Sequence, residues 1–423
     1  MSSSNRDSRL RREPQRGIEV SVVIPCLNEE ATIGICIRKA QATLERLGIA
    51  GEVIVADNGS TDRSVEIARS LGARVVHESR KGYGRALMRG FRAARGEFII
   101  MGDGDDSYDF TDLERFIKPL REGADLVMGT RLKGTILPGA MPWKNRYIGN
   151  PFLSGLLNIL FHAGVSDCHC GMRAFRRDAL EKMQLQCSGM EFASEMVIKA
   201  AKAGLRIVEI PITLYPDGRT RPPHLRPWRD GWRHLKLMLS FSPTWLFLIP
   251  GILLLLGGGL VMMLSAGGEG SSPARPLSGD VHWAVVGSLC AILGYQVVHL
   301  GLFARAYSII HRFGEVDRLV DAIFRFVGLE RGLLIGAILV LLGLSVDAHA
   351  LLPWISPDGA LPNLRTSLWG VVLMVMGVQT MFNAFLLSLL GEQYQRKHVP
   401  SKDRHARSSL TVIHSNRVAQ QSS

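Results

Sequence analysis

Four long apolar runs in the second half of the chain constrain its fold more than any other feature of the sequence. A helix needs about 20 mostly apolar residues to cross a bilayer. The runs lie at 244–264, 282–304, 332–346 with its flanks, and 367–390. Before residue 244, charged and apolar residues alternate as in a water-soluble protein. We therefore predict a soluble N-terminal half followed by an α-helical membrane domain of four spans, which excludes a wholly soluble enzyme and a disordered chain.

Basic residues between the runs predict the orientation of the chain. The loop between the second and third runs and the C-terminal tail are rich in Lys and Arg, whereas the other two loops contain one arginine each, Arg275 and Arg365. Cytoplasmic loops carry such an excess, so we expect a multi-pass protein of the cytoplasmic membrane with both termini and the soluble half in the cytoplasm. The net charge of +12 fits an anionic lipid surface and an anionic substrate, and we do not expect nucleic acid as a partner.

The segment before the first run combines basic and aromatic residues at helical spacing. Arg229, Arg233 and Lys236 recur beside Trp228 and Trp232. Such a helix lies in the membrane interface with its aromatic residues at headgroup depth; an ordinary flank of the first span is the alternative. We predict five segments: a disordered basic arm at 1–17, a soluble domain at 18–222, an interfacial amphipathic helix at 223–242, a membrane domain at 243–393 and a basic cytoplasmic tail at 394–423.

Short apolar segments alternate with helical ones in the soluble half. The strand-like segments are 20–24, 52–56, 74–77, 97–101 and 125–128, and the helical ones are 31–47, 64–71, 84–95 and 112–121. This alternation predicts an α/β fold with a mostly parallel sheet and helices on both faces. In such sheets, ligands bind beyond the carboxyl ends of the strands.

An acidic motif, Met-Gly-Asp-Gly-Asp-Asp-Ser at 101–107, directly follows the fourth strand-like segment. Alternate residues of an extended segment point the same way, so Asp103 and Asp105 can present carboxylates to one ligand. One or two carboxylates together with substrate phosphates suit Mg²⁺ or Mn²⁺; a solvated acidic turn is the alternative. An EF-hand is excluded, because Tyr108 replaces its required glycine and a strand precedes the loop.

Two further polar loops follow the first two strand-like segments. They contain Glu29 and Asp57, so that together with Asp103 three carboxylates are expected at one edge of the sheet. Carboxylates there can accept hydrogen bonds from base N–H groups and ribose hydroxyls. Each loop alone could equally be a turn with a helix cap, and Asp62 is such a cap candidate.

Taken together, these motifs resemble those of a family 2 inverting glycosyltransferase with a GT-A fold. More narrowly, residues before 244 are similar to the polyprenol-phosphate sugar transferases, such as dolichol-phosphate mannosyl- and glucosyltransferases. The segments that carry the resemblance are 25–29, 57–62, 81–84, 103–105, 129–131 and 167–175. Two positions depart from the family pattern: Leu27 stands where an aromatic residue is usual, and Ser107 where glutamine is frequent.

The resemblance implies roles for individual residues. The residues implied to bind the nucleotide-sugar are Pro25, Leu27, Glu29, Asp57, Lys81, Asp103, Gly104 and Asp105. Asp105 and Ser107 are implied as ligands of Mg²⁺ or Mn²⁺, and Asp167 together with Asp105 as the catalytic residues. The residues implied to bind the acceptor phosphate are Arg131, Arg146 and Arg219.

The resemblance also implies the reaction. A single sugar, mannose or glucose, would pass with inversion from a GDP- or UDP-linked donor to a polyprenyl phosphate of the dolichyl or undecaprenyl type, at the cytoplasmic membrane face. The alternatives are a membrane-anchored binding protein without activity and a polysaccharide synthase. Intact Asp103 and Asp105 disfavour the first, and the absence of a Gln-x-x-Arg-Trp element disfavours the second. Association of the spans into a homo-oligomer is left open.

Two further polar groups have no role in this prediction. The Cys168-His169-Cys170 segment has zinc-ligand residue types, but no second pair matches it, so a structural loop is favoured. Glu191 and Glu195 are spaced to share one helix face. They could point either to the acceptor site or to solvent.

Overall fold

A seven-stranded sheet organises the first part of the chain. The computed structural model describes residues 17–218, 227–265, 281–310, 328–355 and 364–398. The strands are β1 (Val20–Cys26), β2 (Gly51–Asp57), β3 (Arg74–His77), β4 (Phe98–Met101), β5 (Leu126–Ile136), β6 (Arg173–Arg176) and β7 (Ile207–Leu214). Their order is β3-β2-β1-β4-β6-β5-β7. Only β6 runs antiparallel to its neighbours among these pairs, β4 and β5, so the predicted mostly parallel sheet is confirmed.

Eight helices accompany the sheet in the described part of this unit. They are α1 (Ile33–Arg46), α2 (Ser64–Ser70), α3 (Tyr83–Ala93), α4 (Leu113–Arg121), α5 (Asn150–Phe161), α6 (Arg177–Met183), α7 (Phe192–Lys202) and α8 (Pro227–Ser240). The predicted elements agree with these bounds to within a few residues, except that β5 continues past residue 128 across an irregularity between Thr130 and Thr135. Hydrophobic periodicity ends where that irregularity begins, which is why the sequence indicated a shorter strand.

Helices cover both faces of the sheet, as the sequence predicted. Val22 of β1 belongs to a core cluster with Ile37 of α1 and Phe116 of α4. Val23 points the opposite way, since neighbouring strand residues alternate, and Gly90 of α3 packs directly against it. Because β1 is buried on both faces, its sequence is a continuous apolar run instead of an alternating one.

The chain divides between Ser240 and Phe241 into two compact units, and the second is entirely helical in its described residues. After a π-helical turn at Thr244–Leu248 come α9 (Ile249–Ser265), α10 (Val281–Ile310), α11 (Leu329–Ile355) and α12 (Leu364–His398). By length and composition, the four helices long enough to cross a membrane cover Thr244–Ser265, Val281–Tyr307, Leu329–Leu352 and Leu364–Gly391. The prediction of four candidate spans is thus confirmed, and the third, which looked shortest, gains helical flanks.

Opposed glycines bring the backbones of these helices together in pairs. A Cβ atom placed on any of these glycines would lie 2.6–3.1 Å from the carbonyl oxygen of the glycine opposite. The opposed pairs are Gly258 with Gly287 and Gly251 with Gly294 between α9 and α10, and Gly343 with Gly370 and Gly336 with Gly377 between α11 and α12. Both helix pairs therefore use the same spacing, and small residues are what permits backbones to approach this closely in a membrane.

Gly258→Leu is expected to separate α9 from α10 and to lower the free energy of unfolding by about 1–3 kcal/mol, the cost of overfilling a packed contact. Gly257→Leu is the matched control, since a Cβ there would meet nothing within 4 Å. Thermal unfolding of both variants in detergent measures the difference. Equal melting temperatures for the two variants would contradict the proposed role of the glycine pairs.

Candidate active site

Three predicted carboxylates lie where neighbouring parallel strands end. β2, β1 and β4 are adjacent in the sheet. Asp57 is the last residue of β2, Glu29 follows β1 and Asp103 follows β4. Because parallel strands end at the same edge, and ligands bind at that edge, these three residues define what we call the carboxylate edge.

Asp57 is buried and held by short hydrogen bonds. Its carboxylate accepts from the backbone N–H groups of Gly59 and Ser60, at 3.1 and 3.0 Å, and lies 3.0 Å from Nδ1 of His77. Burial opposes ionisation, but the hydrogen bonds from Ser60, His77 and Gly59 outweigh it and lower the pKa of Asp57. The group is therefore a fixed anion at neutral pH.

Asp103 is held between the start of α3 and the loop before β6. The hydroxyl of Tyr83 donates to its Oδ1 at 2.9 Å. A Cβ on Gly171 would lie 2.5 Å from its Oδ2, so only glycine leaves room there. The N–H of Gly171 in turn donates to the hydroxyl of Tyr108 at 2.9 Å. The sequence motifs contained these residues, but gave no reason to expect that they orient Asp103.

Asp105 is buried, with its Oδ1 accepting hydrogen bonds from the N–H and hydroxyl of Ser107 at 3.1 and 2.6 Å. The next residue, Asp106, points elsewhere and pairs with Lys39 at 2.8 Å. In the described ranges no three His, Cys, Asp or Glu side chains are grouped closely enough to hold a metal alone. The side-chain oxygens of Asp105 and Ser107 therefore fit as ligands of Mg²⁺ or Mn²⁺, with phosphates of a bound substrate completing the coordination, which is the usual arrangement for Mg²⁺.

Other predicted residues of the nucleotide-sugar group lie around this edge. Pro25 and Leu27 are half-buried at and after the end of β1. The carbonyl of Gly104 accepts a hydrogen bond from the hydroxyl of Thr32 at 2.7 Å, which ties the acidic loop to the start of α1. The exposed Lys81 places its Nζ 3.5 Å from the carbonyl oxygen of Gly59, in the loop that follows β2.

Asp62 lies one residue before Arg63, the N-cap residue of α2, so it is not itself the predicted cap, but its carboxylate still binds the start of that helix. Its Oδ1 accepts from both the N–H and the hydroxyl of Ser64, at 3.0 and 2.6 Å, and its Oδ2 accepts from the N–H of Glu30. The Ser64 hydroxyl oxygen also accepts from the N–H of Glu29 at 2.7 Å. Asp62 thus fixes the loop of Glu29 against the start of α2.

A buried ion pair joins β5 to the loop before β6. Nε and Nη2 of Arg131 donate to the two oxygens of Asp167 at 2.7 and 2.8 Å, and the Arg131 N–H adds a third bond at 3.1 Å. The side chains are only 12% and 0% exposed. Burial opposes ionisation of Asp167, but the hydrogen bonds and charge of Arg131 outweigh it and hold its pKa below the usual value.

Glu209 of β7 fixes the backbone that bears Asp167, a role the sequence did not reveal. Its carboxylate accepts from the N–H and hydroxyl of Ser166 at 2.6 and 2.9 Å, and from the Asp167 N–H at 3.3 Å. Lys133 pairs with it at 2.8 Å. A lone glutamate inside the apolar strand Ile-Val-Glu-Ile was the available signal.

Arg146 lies in a segment with large exposed aromatic side chains. It belongs to a π-helical turn, Asn145–Gly149, that leads into α5, and its guanidinium lies over the ring of Tyr147 at 5.2 Å. On α8, Trp228 is 94% exposed. We use the name aromatic face for the exposed aromatic side chains of these two segments, which are Trp143, Tyr147, Phe152, Trp228 and Trp232. Arg219 lies outside the described residues.

The structure gives the surroundings of the two polar groups to which the sequence assigned no role, the Cys168–Cys170 segment and the pair Glu191 and Glu195. Cys168 and Cys170 are buried free thiols, and the carbonyl oxygens of both residues accept hydrogen bonds from Arg173. Glu195 is buried, pairs with Lys199 at 2.8 Å and accepts from the N–H groups of Gln186 and Cys187. It therefore faces the protein interior, and neither the solvent nor the acceptor alternative applies. In Glu191, Oε2 is buried without a hydrogen-bond partner among the described residues.

Comparison with known proteins identifies the family. The family model described as glycosyl transferase family 2 matches residues 21–184, and that of the glycosyltransferase family 2 C-terminal transmembrane region matches residues 302–391. The low-salt glycan biosynthesis hexosyltransferase Agl6 of Haloferax volcanii is 41% identical over 375 residues, 88% of this chain and 89% of the relative. The chain therefore belongs to glycosyltransferase family 2.

Shorter similarities cover the first unit. A dolichyl-phosphate hexose transferase of Haloferax volcanii is 34% identical over 196 residues, 46% of this chain and 82% of that protein. Among solved structures, glucosyl-3-phosphoglycerate synthase from Mycobacterium tuberculosis, in complex with Mn²⁺, uridine diphosphate and glucosyl-3-phosphoglycerate, is 26% identical, covering 53% of this chain and 80% of that chain with a TM-score of 0.42. The family that the motifs predicted is confirmed by the family model and by the relative matched over most of both chains, so the protein is a glycosyltransferase. The mostly parallel sheet with helices on both faces agrees with the predicted fold.

Asp167→Ala is expected to lower the free energy of unfolding by about 3–5 kcal/mol, because it leaves the Arg131 charge buried and unpaired. The double variant Arg131→Met, Asp167→Leu should recover much of this loss, since no charge remains buried. Asp178→Ala is the control: it removes an exposed pair with Arg176 at 3.7 Å and should cost no more than about 1 kcal/mol. Denaturant unfolding of the full chain in detergent measures all three variants.

The same ion pair predicts a pH dependence. Since the pKa of Asp167 is lowered in the folded protein, the stability it contributes is present above the pKa of the unfolded carboxyl group and disappears as the pH falls through the folded value. Acid should therefore destabilise the wild type more than the double variant. Parallel stability–pH curves for the two proteins would refute this assignment.

Proposed function

We propose that this glycosyltransferase moves a single hexose, mannose or glucose, from a GDP- or UDP-linked donor to a polyprenyl phosphate, with inversion. The hexosyltransferase Agl6, related over 88% of the chain, and the dolichyl-phosphate hexose transferase related to the first unit support the transferred group and the lipid acceptor. The basic loop and tail between and after the candidate spans support a cytoplasmic catalytic unit.

The observation that carries the lipid acceptor is the aromatic face. Exposed aromatic side chains beside basic ones are typical of surfaces that lie at lipid headgroups. On α8, Trp228 and Trp232 are exposed, and α8 ends at Ser240, four residues before the first candidate span begins at Thr244. Four residues reach at most about 14 Å, so the end of α8 must lie close to the bilayer if that helix spans it.

The carboxylate edge suits the donor nucleotide. Asp57 is a fixed anion beside the half-buried Pro25 and Leu27, and it can accept hydrogen bonds from the nucleoside, as can Glu29 and Asp103. Lys81 supplies a cation beside the loop after β2, where it can pair with a phosphate of the donor. Asp105 and Ser107 would hold Mg²⁺ or Mn²⁺, which when bound neutralises the charge that develops on the leaving diphosphate.

The Asp167–Arg131 pair suits the acceptor phosphate. Arg131 has five N–H donors, and those not directed at Asp167 remain for a phosphate oxygen; Arg146 and Arg219 would add further positive charge. Asp167 keeps the guanidinium in one orientation. With its pKa lowered, Asp167 is a poor proton acceptor, so its contribution is positioning and charge.

The reaction needs little proton transfer. A phosphate monoester has a second pKa of about 6, so at neutral pH the acceptor already carries a nucleophilic oxygen. That oxygen forms a bond to the anomeric carbon, while the bond from this carbon to the diphosphate oxygen breaks and the nucleoside diphosphate leaves with the electron pair. A single in-line displacement inverts the anomeric configuration, and the chain's contribution is orientation and charge stabilisation.

The transfer reaction is tested with the full chain in detergent, Mg²⁺ or Mn²⁺, farnesyl phosphate and radiolabelled GDP- and UDP-sugars. We expect label to pass from one donor into the organic phase. Asp105→Asn should reduce the rate by about 100-fold or more, the scale of losing an electrostatic stabiliser. Asp106→Asn is the matched control, since Asp106 pairs with Lys39 at a partly exposed site, and should keep nearly full activity. Nucleotide binding without transfer from any donor would favour the binding-only alternative.

The aromatic face predicts a preference for acceptors held in a bilayer. The double variant Trp228→Ala, Trp232→Ala should raise the KM for a long-chain polyprenyl phosphate in liposomes by about tenfold, because the catalytic unit loses two interfacial side chains. The KM for the nucleotide-sugar and for a short acceptor in solution should stay unchanged. Trp228→Phe, Trp232→Phe should restore the wild-type KM. An equal rise in KM for the long-chain and the short acceptor would contradict the placement of α8 at the lipid interface.

A further inference from the structure

The buried side of α8 contains polar residues that an interfacial helix does not need. Asp230, His234 and Met238 recur at every fourth position of α8 and are all buried. A helix that only floats in the membrane interface needs apolar residues on one side and polar residues on the other. Burial of a histidine and an aspartate on the opposite side of α8 from Trp228 therefore requires another explanation.

His234 contacts two elements of the catalytic unit. Its Nδ1 lies 2.7 Å from the hydroxyl oxygen of Ser194 in α7. Its ring packs edge-on against the ring of His169, with centroids 4.3 Å apart and planes at 77°. The Ser194 hydroxyl oxygen also lies 3.4 Å from Nε2 of His169. A serine hydroxyl has one proton to donate, so it can join the two imidazoles when both are neutral.

The surroundings of the two rings keep them neutral. Burial lowers the pKa of His234 to about 4, against the opposing effect of the nearby carboxylates Glu191 and Asp230. Burial, and then the proximity of His234, hold the pKa of His169 well below its usual value, against the opposing charge of Asp167. At neutral pH the cluster is therefore a neutral hydrogen-bonded contact.

His169 belongs to the loop that contains Asp167. Its backbone N–H donates to Oδ1 of Asp167 at 3.3 Å. The fully buried guanidinium of Arg173 then locks this loop to α7, donating to the carbonyls of Cys168 and Cys170 at 2.8 Å each and to that of Ala193 at 2.7 Å. Ser194 is the residue after Ala193, so the loop and the first turn of α7 form one rigid block that His234 touches on both parts.

We propose that His234 is a positioning residue that sets the Asp167–Arg131 ion pair from α8, acting through Ser194 and His169. A shift of α8 relative to α7 and the Asp167 loop would then also change the geometry of the ion pair. This inference rests on the proposed function for the acceptor role of the pair. It assigns α8 a part in the reaction besides its position next to the bilayer.

The test compares variants that keep or remove the Nδ1 contact. His234→Leu removes it, whereas His234→Asn can place an amide atom near the position of Nδ1. Both are assayed as the full chain in detergent, with farnesyl phosphate and the donor that the wild type uses. His234→Leu should lower kcat/KM for farnesyl phosphate by about 100-fold, the scale of a small misplacement of a reacting group. Its KM for the donor should change by less than about twofold, and His234→Asn should stay within about threefold of wild type.

A double-variant comparison checks the path through Ser194. Ser194→Ala should lower kcat/KM for farnesyl phosphate as much as His234→Leu does. The double variant Ser194→Ala, His234→Leu should lower it no further, because each single variant already removes the same contact between the two side chains. Hydrogen exchange supplies a readout other than activity: amides at 165–173 should exchange faster in His234→Leu than in His234→Asn.

Each failure has its own signature. If the wild type binds donor but transfers no sugar to farnesyl phosphate, the proposed function fails. If the wild type transfers sugar but His234→Leu and His234→Asn differ only in melting temperature, with unchanged kinetic constants, the positioning role is overturned. The same holds if the donor KM rises as steeply as the acceptor kcat/KM falls, since that pattern indicates general loosening of the catalytic unit.

Discussion

A buried pair of opposite charges is the constraint on which the site depends. Arg131 and Asp167 are both withdrawn from water, and either charge alone would be strongly destabilising. The strands must therefore bring them together. β6 runs antiparallel between β4 and β5, and this insertion turns the loop before β6 back toward β5. Glu209, Ser166 and Arg173 are then required as well, because they fix the backbone around a contact that tolerates little displacement.

The two halves of the site, the carboxylate edge and the Asp167–Arg131 ion pair, arise from different features of the strand order. The carboxylate edge arises from parallel strands whose ends coincide, so each strand supplies one loop and one carboxylate. The ion pair arises where the parallel order is interrupted. Gly171 joins the halves, since it lies against Asp103 and belongs to the same loop as Asp167. A change in that loop would therefore affect both Asp103 of the carboxylate edge and the Asp167–Arg131 ion pair.

This difference explains what the sequence could predict. Strand periodicity and the acidic motif were local, so the strands, the helices and the carboxylates at residues 57 and 103 could be located. The partners of those carboxylates could not, because His77 and Tyr83 reach them from other segments of the chain. The contacts of Glu209 with the backbone of Asp167 were hidden for the same reason, since hydrogen bonds between distant residues leave no periodic pattern. The end of β5 was missed for a related reason: its continuation depends on pairing with β7 across an irregularity, and its own sequence does not show this.

The helix α8 has two sides that differ in burial and in residue type. Its basic and aromatic residues were visible in the sequence as an interfacial pattern, whereas nothing in that pattern indicated that Asp230 and His234 are buried. Burial separates the two sets: Trp228 is fully exposed while His234 is enclosed. An imidazole can be enclosed at modest cost because it is neutral at physiological pH once its pKa is lowered, and a lysine at this position would have to bury a charge. Histidine is thus the residue type that lets α8 make a hydrogen-bonded contact with Ser194 without adding a buried charge near the loop that contains Asp167.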